Sequence, residues 1–401
     1  MNDSLLIAGS GFAGTWAAIA AARARAQAGR EAALAITVIS PAPELHVRPR
    51  LYEADLSEVA PDLGALFRDI EVTHVAARVE GLDLEARALE VKDAAGARSR
   101  LSWDRLVLAT GSVLFRPELP GLATHAFDID QLAHATRLDA HLKARAPRPA
   151  SAARDTVVVA GGGFTGIEAA CELPARLRAA LGADAPVRVV VIEQAPAIGP
   201  DLGPGPRPVI EEALASLGVE VITGTGVAAI DAAGVTLADG RRIASATVVW
   251  TAGARANPLV AQLPGEHDRF GRLAVDAQLR APRTPTVFVT GDLARAAVDD
   301  AGHDALMSCQ HALSLGRVAG YNAAADLLGL PLHAYRQPKY VTCLDLGPWG
   351  AVLTEGWDRE VQLQGAEAKA LKRDINTKWI YPPGDRATAF ELGAPDHVIV
   401  P

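Results

Sequence analysis

The feature that most constrains this chain is a pattern that occurs twice. Residues 4–14 read SLLIAGSGFAG and residues 156–166 read TVVVAGGGFTG, each an apolar run followed by Gly-x-Gly-x-x-Gly and a stretch rich in small residues. A second apolar run follows each copy at similar spacing, at 36–40 (ITVIS) and 187–193 (VRVVVIE). One such glycine motif alone is weak evidence. Two copies in full strand–turn–helix–strand order predict two nucleotide-binding α/β units.

The three glycines of each copy have separate predicted tasks. The first permits a tight turn, the second lets the backbone approach a pyrophosphate, and the third lets the helix pack close to the strand. The free N–H groups and the positive dipole end of the following helix then face the phosphates. A glycine turn without a ligand is the less favoured alternative because the whole unit is repeated. The glycines are Gly9, Gly11 and Gly14 in the first copy and Gly161, Gly163 and Gly166 in the second.

The ends of the two second strands differ in charge. Glu193 stands where a carboxylate would bond a ribose 2′-hydroxyl and repel a 2′-phosphate, so NADH is favoured over NADPH. The first copy has Ser40 followed by Pro41 at the matching place. Ser40 can bond a ribose or can be a plain turn residue, and the sequence leaves both readings open.

Composition and charge exclude several classes of protein. The formal net charge of −8 argues against nucleic acid as the partner, because phosphate binding needs a basic surface. No apolar run reaches the roughly 18 residues of a membrane span. The cysteines form no CxxC pair and the histidines show no ligand spacing, so neither a disulfide framework nor a metal site is predicted. The start MNDSLLIAGSG does not resemble a signal peptide, and a cytoplasmic location is expected.

The local composition of the sequence predicts further structural elements. Residues 142–155 are rich in Ala, Arg and Pro and indicate a linker, and residues 305–328 indicate one helix. Pro174 is expected to kink or restart the helix after the second glycine motif. Residues 331–401 hold short strand-like runs and predict a small C-terminal domain.

These motifs resemble the flavoprotein reductases with two dinucleotide-binding domains, the pyridine nucleotide-disulfide oxidoreductase superfamily. Within that superfamily the chain is most similar to type II NADH dehydrogenases. The most discriminating motifs are GGGFTGIE at 161–168 and CQHALSLG at 309–316. Weaker matches, in chain order, are GSGFAG, RPRLYE, LATGS, WTAGARANP and VTGDLA.

The resemblance implies an α/β fold of two Rossmann-like domains with a small C-terminal α+β domain. An FAD domain would comprise residues 1–145 and 276–330, an NADH domain residues 146–275, and an acceptor-shaping domain residues 331–401. Expected FAD contacts are Gly9, Gly11, Phe12, Ala13, Gly14, Ser40, Arg48, Thr110, Gly111, Gly291, Asp292, Gln310, His311 and Ala312. Expected NADH contacts are Gly161, Gly163, Phe164, Thr165, Gly166, Glu193, Ala252 and Gly253.

Besides the residues that bind the cofactors, two residues would take part in the reaction with the acceptor. By resemblance, Glu168 lies beside the flavin and the nicotinamide and couples the enzyme to its acceptor, and Gln310 lines a quinone pocket. The implied activity is NADH dehydrogenase with a quinone or a quinone-like small molecule as acceptor. A homodimer stays open at this stage.

Two departures from the family leave the acceptor open. The C-terminal residues lack the apolar face of a membrane-binding amphipathic helix, so at most a peripheral contact with the inner face of the membrane is expected, and 366–383 (AEAKALKRDINTKWIYPP) is expected to form a solvated helix and strand. Ser40 replaces the usual acidic residue. A sulfide- or thiol-linked reductase using Cys343 and Cys309, a ferredoxin reductase, and a non-catalytic FAD/NADH redox sensor are therefore the alternatives.

Overall fold

The computed structural model describes residues 3–399 and contains two separate parallel sheets. In the first sheet, all neighbouring strands run parallel except the pair at one edge. Its strands Asp3–Ala8 and Arg105–Leu108 are almost wholly buried, as expected where helices cover both faces of a parallel sheet. The spatial order is Arg280–Ala281, Thr284–Val289, Arg105–Leu108, Asp3–Ala8, Leu34–Ser40, Thr73–Ala76.

The second sheet is built around the second glycine motif, and its strands all run parallel. Its edge strand Ala126–Phe127 comes from a part of the chain that the predicted division assigns to the first unit. The second sheet therefore includes residues that precede position 146, where the predicted NADH domain begins. The spatial order is Val219–Ile222, Arg188–Ile192, Thr156–Ala160, Thr247–Trp250, Ala126–Phe127.

Each glycine motif leads into a long helix, Phe12–Gln27 in the first unit and Phe164–Leu181 in the second. The second helix continues through Pro174, so the predicted restart does not occur. Pro174 removes one N–H donor, but the buried neighbours Leu173 and Leu177 keep this turn packed against the core. The other α-helices are Gly64–Asp69, Leu122–His125, Leu132–Lys143, Ala152–Asp155, Arg207–Ser216, Cys309–Leu328, Gly365–Asp374 and Arg386–Leu392.

The helix Cys309–Leu328 confirms the single helix predicted at 305–328 and packs against the first glycine helix. The contact is close because glycines of one helix meet the backbone of the other. A Cβ placed on Gly320 would lie 2.0 Å from the carbonyl oxygen of Ala17. This packing fixes the start of the helix Cys309–Leu328 beside the first glycine turn.

Short paired strands complete the units and join them. The strands Ser112–Leu114 and Ala254–Ala256 pair with each other and connect the two units. Leu273–Ala274 and Ala294–Arg295 form a short parallel pair. Two antiparallel sheets lie outside the parallel ones, comprising Arg78–Asp83, Ala88–Lys92 and Arg98–Ser102, and Val227–Asp231, Gly234–Leu237 and Arg242–Ala244.

The C-terminal residues form an antiparallel sheet of Val341–Asp345, Ala351–Glu355 and Glu360–Gln364, followed by the helix Gly365–Asp374 and a π-helical turn Ile375–Trp379. The helix expected here is present, but the expected strand is not. The helix Gly365–Asp374 buries Lys372 against the second glycine helix, and a π-helical turn follows it in place of a strand. Among residues 3–399, no helix combines the length and apolar character needed to cross a bilayer.

Candidate active site

The first glycine turn has a geometry that only glycine fits at two of its three positions. Gly9 has φ +110°, and a Cβ on Gly14 would lie 1.9 Å from the carbonyl oxygen of Gly9. By contrast, a Cβ on Gly11 would meet no atom within 4 Å. The helix that begins at Phe12 has no side-chain cap and no acidic residue in its first turn. Open space therefore lies in front of free N–H groups, which is the arrangement that a pyrophosphate requires.

The second glycine turn repeats this geometry. Gly161 has φ +118°, and a Cβ on Gly166 would lie 1.9 Å from the carbonyl oxygen of Gly161. The space at Gly163 is again open, and the helix from Phe164 again lacks a side-chain cap. The backbone geometry of both turns therefore leaves room for the pyrophosphate of a dinucleotide.

The carboxylate of Glu193 is tied to the second glycine turn. It accepts hydrogen bonds from the N–H groups of Gly162 at 2.7 Å and Ala195 at 2.8 Å. These bonds hold a negative charge directly beside the turn, at the end of the strand Arg188–Ile192.

The hydroxyl of Ser40 is occupied by protein contacts. It donates a hydrogen bond to the carbonyl oxygen of Ala42 at 2.6 Å and lies 2.9 Å from Nε2 of His74. The side chain is buried. Of the two readings left open by the sequence, this geometry favours the plain turn residue over the ribose contact.

Asp292 belongs to a polar cluster at the carboxyl ends of the first sheet. The hydroxyl of Ser112 donates to Asp292 Oδ2 at 2.6 Å, and Arg48 Nη1 lies 4.0 Å from the same oxygen. Arg48 also pairs with Asp130. Burial raises the pKa of Asp292 above its ordinary value. The sequence identified Arg48 and Asp292 but assigned no role to Ser112, the last residue of the LATGS motif, or to Asp130, which lies outside the motifs.

Other residues predicted to contact FAD also lie near the carboxyl ends of the first sheet. Thr110 has a buried hydroxyl oxygen without a hydrogen-bond partner among the described residues. Gly111 has φ +68°. A Cβ on Gly291 would lie 2.9 Å from the Cβ of Ala13 and 3.9 Å from that of Ala312. The glycine helix, the strand ends and the helix Cys309–Leu328 therefore converge here.

The helix Cys309–Leu328 begins with a capped but uncharged turn. The Ser308 hydroxyl oxygen accepts from the N–H of His311, and Nδ1 of His311 accepts from the N–H of Leu306 at 3.3 Å. Burial lowers the pKa of His311 to about 3, so the ring is neutral. The carbonyl oxygen of the Gln310 side chain accepts weak hydrogen bonds from Gln337 and Val341, both at 3.4 Å.

Glu168 is a buried carboxyl group on the second glycine helix. It accepts hydrogen bonds from Lys372 Nζ at 2.9 Å and from the N–H of Asp345 at 3.1 Å. Burial raises the pKa of Glu168 to about 7, although the charge of Lys372 acts in the opposite direction. Burial disfavours the ammonium form of Lys372, but Glu168 outweighs this effect and the pKa of Lys372 is raised. Glu168 can therefore change its protonation state near neutral pH beside a fixed positive charge.

The other predicted residues of the second unit lie around this pair or at the nearby strand end. The ring of Phe164 lies 5.6 Å from Lys372 Nζ, and Thr165 is exposed. Gly253 has φ +80°, and its carbonyl oxygen accepts from the N–H of Phe115 at 2.9 Å. Ala252 lies beside the second turn, since its N is 2.9 Å from a Cβ placed on Gly161.

The three cysteines have different surroundings. Cys171 and Cys343 are buried, and Cys309 is half-buried at the start of its helix. Burial raises the pKa of all three thiols, that of Cys343 to about 11. All three are therefore protonated at neutral pH, which makes them poor nucleophiles. Within residues 3–399, no group of three or more His, Cys, Asp or Glu side chains is placed to hold a metal ion.

Comparison with known proteins agrees with this architecture. An NADH dehydrogenase-like protein of Mycobacterium tuberculosis is 48% identical over 396 residues, covering 98% of each chain. A type II NADH:quinone oxidoreductase of the same organism is 32% identical over 320 residues, covering 72% of this chain and 66% of its own length. The structure of NDH2 from Plasmodium falciparum in complex with NADH superposes with a TM-score of 0.79 over the whole of both chains at 12% identity, which supports the fold alone.

The family model for pyridine nucleotide-disulphide oxidoreductases matches residues 3–316. That match spans both parallel sheets and both glycine turns. It confirms the predicted fold class and superfamily. The chain therefore belongs to the pyridine nucleotide-disulphide oxidoreductase family and is an NADH oxidoreductase that uses FAD.

Proposed function

We propose that this protein transfers electrons from NADH through FAD to a quinone. The observation that carries the proposal is the buried Glu168–Lys372 pair, with Nζ and Oε1 2.9 Å apart, on the helix that begins at the second glycine turn. Quinone reduction takes up protons, and Glu168 is a buried carboxyl group with a pKa of about 7 that can hold one. The relative described as a type II NADH:quinone oxidoreductase, 32% identical to this chain, supports the same acceptor class.

The residues of the first unit leave a space that fits FAD. Gly11 and the free N–H groups after it would hold the pyrophosphate, and Asp292 with Arg48 would position the ribityl side. The unpartnered hydroxyl of Thr110 is a buried polar atom that a flavin can satisfy. The start of the helix Cys309–Leu328, which has no acidic residue in its first turn, would face the flavin and stabilise negative charge there.

NADH fits the second unit in the same way. Gly163 would admit its pyrophosphate, and Glu193 would accept a hydrogen bond from the adenosine ribose. Phe164, near Lys372 and on the same helix as Glu168, would border the nicotinamide end. The half of the nucleotide that reacts would thus lie on the Glu168 side of the second unit.

FAD, when bound, would supply the redox chemistry, namely acceptance of a hydride from NADH and return of two electrons to the acceptor. The protein supplies geometry and proton transfer. The balanced reaction, NADH + H⁺ + quinone → NAD⁺ + quinol, consumes one proton from solution. Glu168, with a pKa of about 7, can hold that proton and pass it toward the acceptor. The Gln310 amide would donate a hydrogen bond to a quinone carbonyl.

Anaerobic titration tests both halves of this proposal. The purified protein should be yellow, NADH should bleach it, and a short-chain quinone should restore the colour at catalytic rates. A protein that binds no flavin after reconstitution contradicts the cofactor assignment. Bleaching by NADH without recovery on quinone addition contradicts the acceptor, and an acceptor screen with oxygen, sulfide and a ferredoxin then identifies the class that does recover it.

A further inference from the structure

The side-chain amide of Gln310, which we place beside the acceptor, has its orientation fixed by its neighbours. Its Oε1 atom accepts from the backbone N–H of Val341 and from Nε2 of Gln337, both at 3.4 Å. A backbone N–H can only donate, so the atom that faces Val341 must be the carbonyl oxygen of the amide. The NH2 group of Gln310 is therefore turned away from Val341, and it donates to no group among residues 3–399.

The amide of Gln337 is oriented by the same reasoning. Because Gln310 presents an oxygen, the end of the Gln337 amide that faces it must be the NH2 donor. The other end, Oε1, accepts from the hydroxyl of Tyr335 at 3.4 Å. Burial raises the pKa of Tyr335, so the hydroxyl keeps the proton that it donates. The hydrogen bonds therefore run in one direction, from Tyr335 through Gln337 to Gln310.

Backbone contacts with the first unit hold the segment that carries these side chains. The N–H of Tyr335 donates to the carbonyl oxygen of Ala277 at 2.8 Å, and the N–H of Gln337 donates to that of Val298 at 3.0 Å. These bonds are shorter than those between the side chains, and they set where the Gln337 side chain begins. They keep its amide within reach of Gln310.

A stack of side chains holds Val341 against Gln310 from the other direction. The ring of Tyr340 stacks on the ring of His311, with centroids 4.9 Å apart. The guanidinium group of the buried Arg359 lies over the same Tyr340 ring, 4.6 Å from its centroid. Because Tyr340 and His311 are the chain neighbours of Val341 and Gln310, this stack keeps the Val341 N–H directed at the Gln310 oxygen.

We propose that Gln337 and Tyr335 are positioning residues that make Gln310 a hydrogen-bond donor toward the acceptor. The inference rests on the proposed function, because it requires an acceptor that binds at the start of the helix Cys309–Leu328. A donor at this place selects acceptors that bring a lone pair on oxygen, as the carbonyl group of a quinone does. It also binds that oxygen more strongly as negative charge develops on it during reduction.

The test changes the polarity of these bonds and measures KM for quinone. Gln337→Glu keeps the size of the side chain but replaces the donor that faces Gln310 by an acceptor, whereas Gln337→Leu and Tyr335→Phe remove bonds without adding charge. KM for a short-chain quinone should rise about tenfold or more in Gln337→Glu and about threefold in the other two, with smaller changes in kcat. Ferricyanide, which takes electrons without a carbonyl contact, should be reduced at the wild-type rate.

A double-mutant cycle separates positioning from a general structural role. In a Gln310→Leu background, Gln337→Leu should change the quinone KM no further, because the residue through which Gln337 acts is gone. Gln362→Leu is the matched control. Gln362 is exposed on the strand Glu360–Gln364, and its replacement should leave the KM for quinone unchanged.

The outcomes separate the two proposals. A wild-type protein that reduces ferricyanide but no quinone overturns the proposed acceptor and the positioning with it. Wild-type quinone turnover with an unchanged KM in Gln337→Glu and Gln337→Leu overturns the positioning alone. Additive losses in the double mutant, or equal losses with ferricyanide and quinone, also overturn it, because they indicate a structural effect. If Gln337→Glu does not fold, Gln337→Leu and Tyr335→Phe decide by the same criteria.

Discussion

Lys372 Nζ lies 2.9 Å from the carboxylate of Glu168, a residue 204 positions earlier in the chain. The same ammonium group donates to the carbonyl oxygen of Cys343, also at 2.9 Å. One buried cation therefore joins the second glycine helix to the C-terminal sheet. It also lowers the proton affinity of the carboxyl group that we place at the acceptor side, against the larger effect of burial.

Lys372→Met should move the falling limb of the quinone-reductase pH profile upward. Glu168 has a pKa raised to about 7, so it is protonated below that pH and ionised above it. Lys372 lowers this pKa, and its removal should raise the apparent value by about one to three pH units. The measurement is kcat/KM for a soluble quinone across pH. Lys372→Arg is the control and should leave the limb in place. An unmoved limb in Lys372→Met would show that Glu168 does not set it.

Gly11→Ala and Gly163→Ala should separate the two nucleotide sites. Both positions have backbone angles open to alanine, φ −66° and −80°, and an added Cβ meets no protein atom within 4 Å. The methyl groups would instead occupy the space that we assign to each pyrophosphate. Gly11→Ala should fold but purify with little FAD. Gly163→Ala should be yellow yet bleach only at much higher NADH concentration.

The control for this pair is Gly14→Ala, which should fail to fold, because its Cβ would lie 1.9 Å from a backbone oxygen. Absorbance at the flavin band and anaerobic NADH titration are the measurements. A Gly11→Ala protein that retains full FAD would refute the assignment of the first turn.

Ser40→Ala should leave FAD affinity within about twofold of wild type, a difference below 0.5 kcal/mol. The hydroxyl donates to Ala42 and contacts His74, so its loss removes protein contacts. We expect the free energy of unfolding to fall by about 1 kcal/mol. Isothermal titration of the apoprotein with FAD, alongside chemical denaturation, measures both. A tenfold loss of FAD affinity with unchanged stability would restore the ribose reading.

Sequence alone predicted the parts of this fold that depend on near neighbours. The glycine turns, their flanking strands and the helix Cys309–Leu328 follow from residue types within a short window, and the structure confirms them. Gly9 and Gly161 carry positive φ angles that favour glycine at those positions. Because these steric requirements involve residues that are close together in the sequence, a short motif can indicate them.

Sequence could not predict the contacts that depend on the tertiary arrangement. Lys372 sits in AKALKRD, a stretch that looks like a solvated helix, and only the packing of the C-terminal helix against Glu168 makes it a buried partner. The edge strand Ala126–Phe127 is too short for a periodic signal, and its partner Thr247–Trp250 lies far along the chain. Pairing over such distances is decided by topology, which a single sequence does not display.

Glu193→Gln should reduce the preference for NADH over NADPH by about tenfold or more. The carboxylate sits beside the second glycine turn and is held there by the N–H groups of Gly162 and Ala195. Glutamine keeps the size of the side chain and removes the charge that repels a 2′-phosphate, but its amide nitrogen cannot accept, so one of the two N–H groups loses its acceptor. The measurement is the ratio of kcat/KM for the two nucleotides with ferricyanide as acceptor, so that the quinone site has no influence.

Glu193→Ala serves as the matched variant. It should change the ratio in the same direction but also destabilise the turn, because two N–H groups lose their acceptor at roughly 1–3 kcal/mol each. If the ratio in Glu193→Gln equals that of wild type while FAD content is unchanged and stability falls, Glu193 is a structural acceptor for the turn and does not select the nucleotide. A ratio that falls as far in Gln as in Ala, with a smaller loss of stability in Gln, assigns the selection to charge.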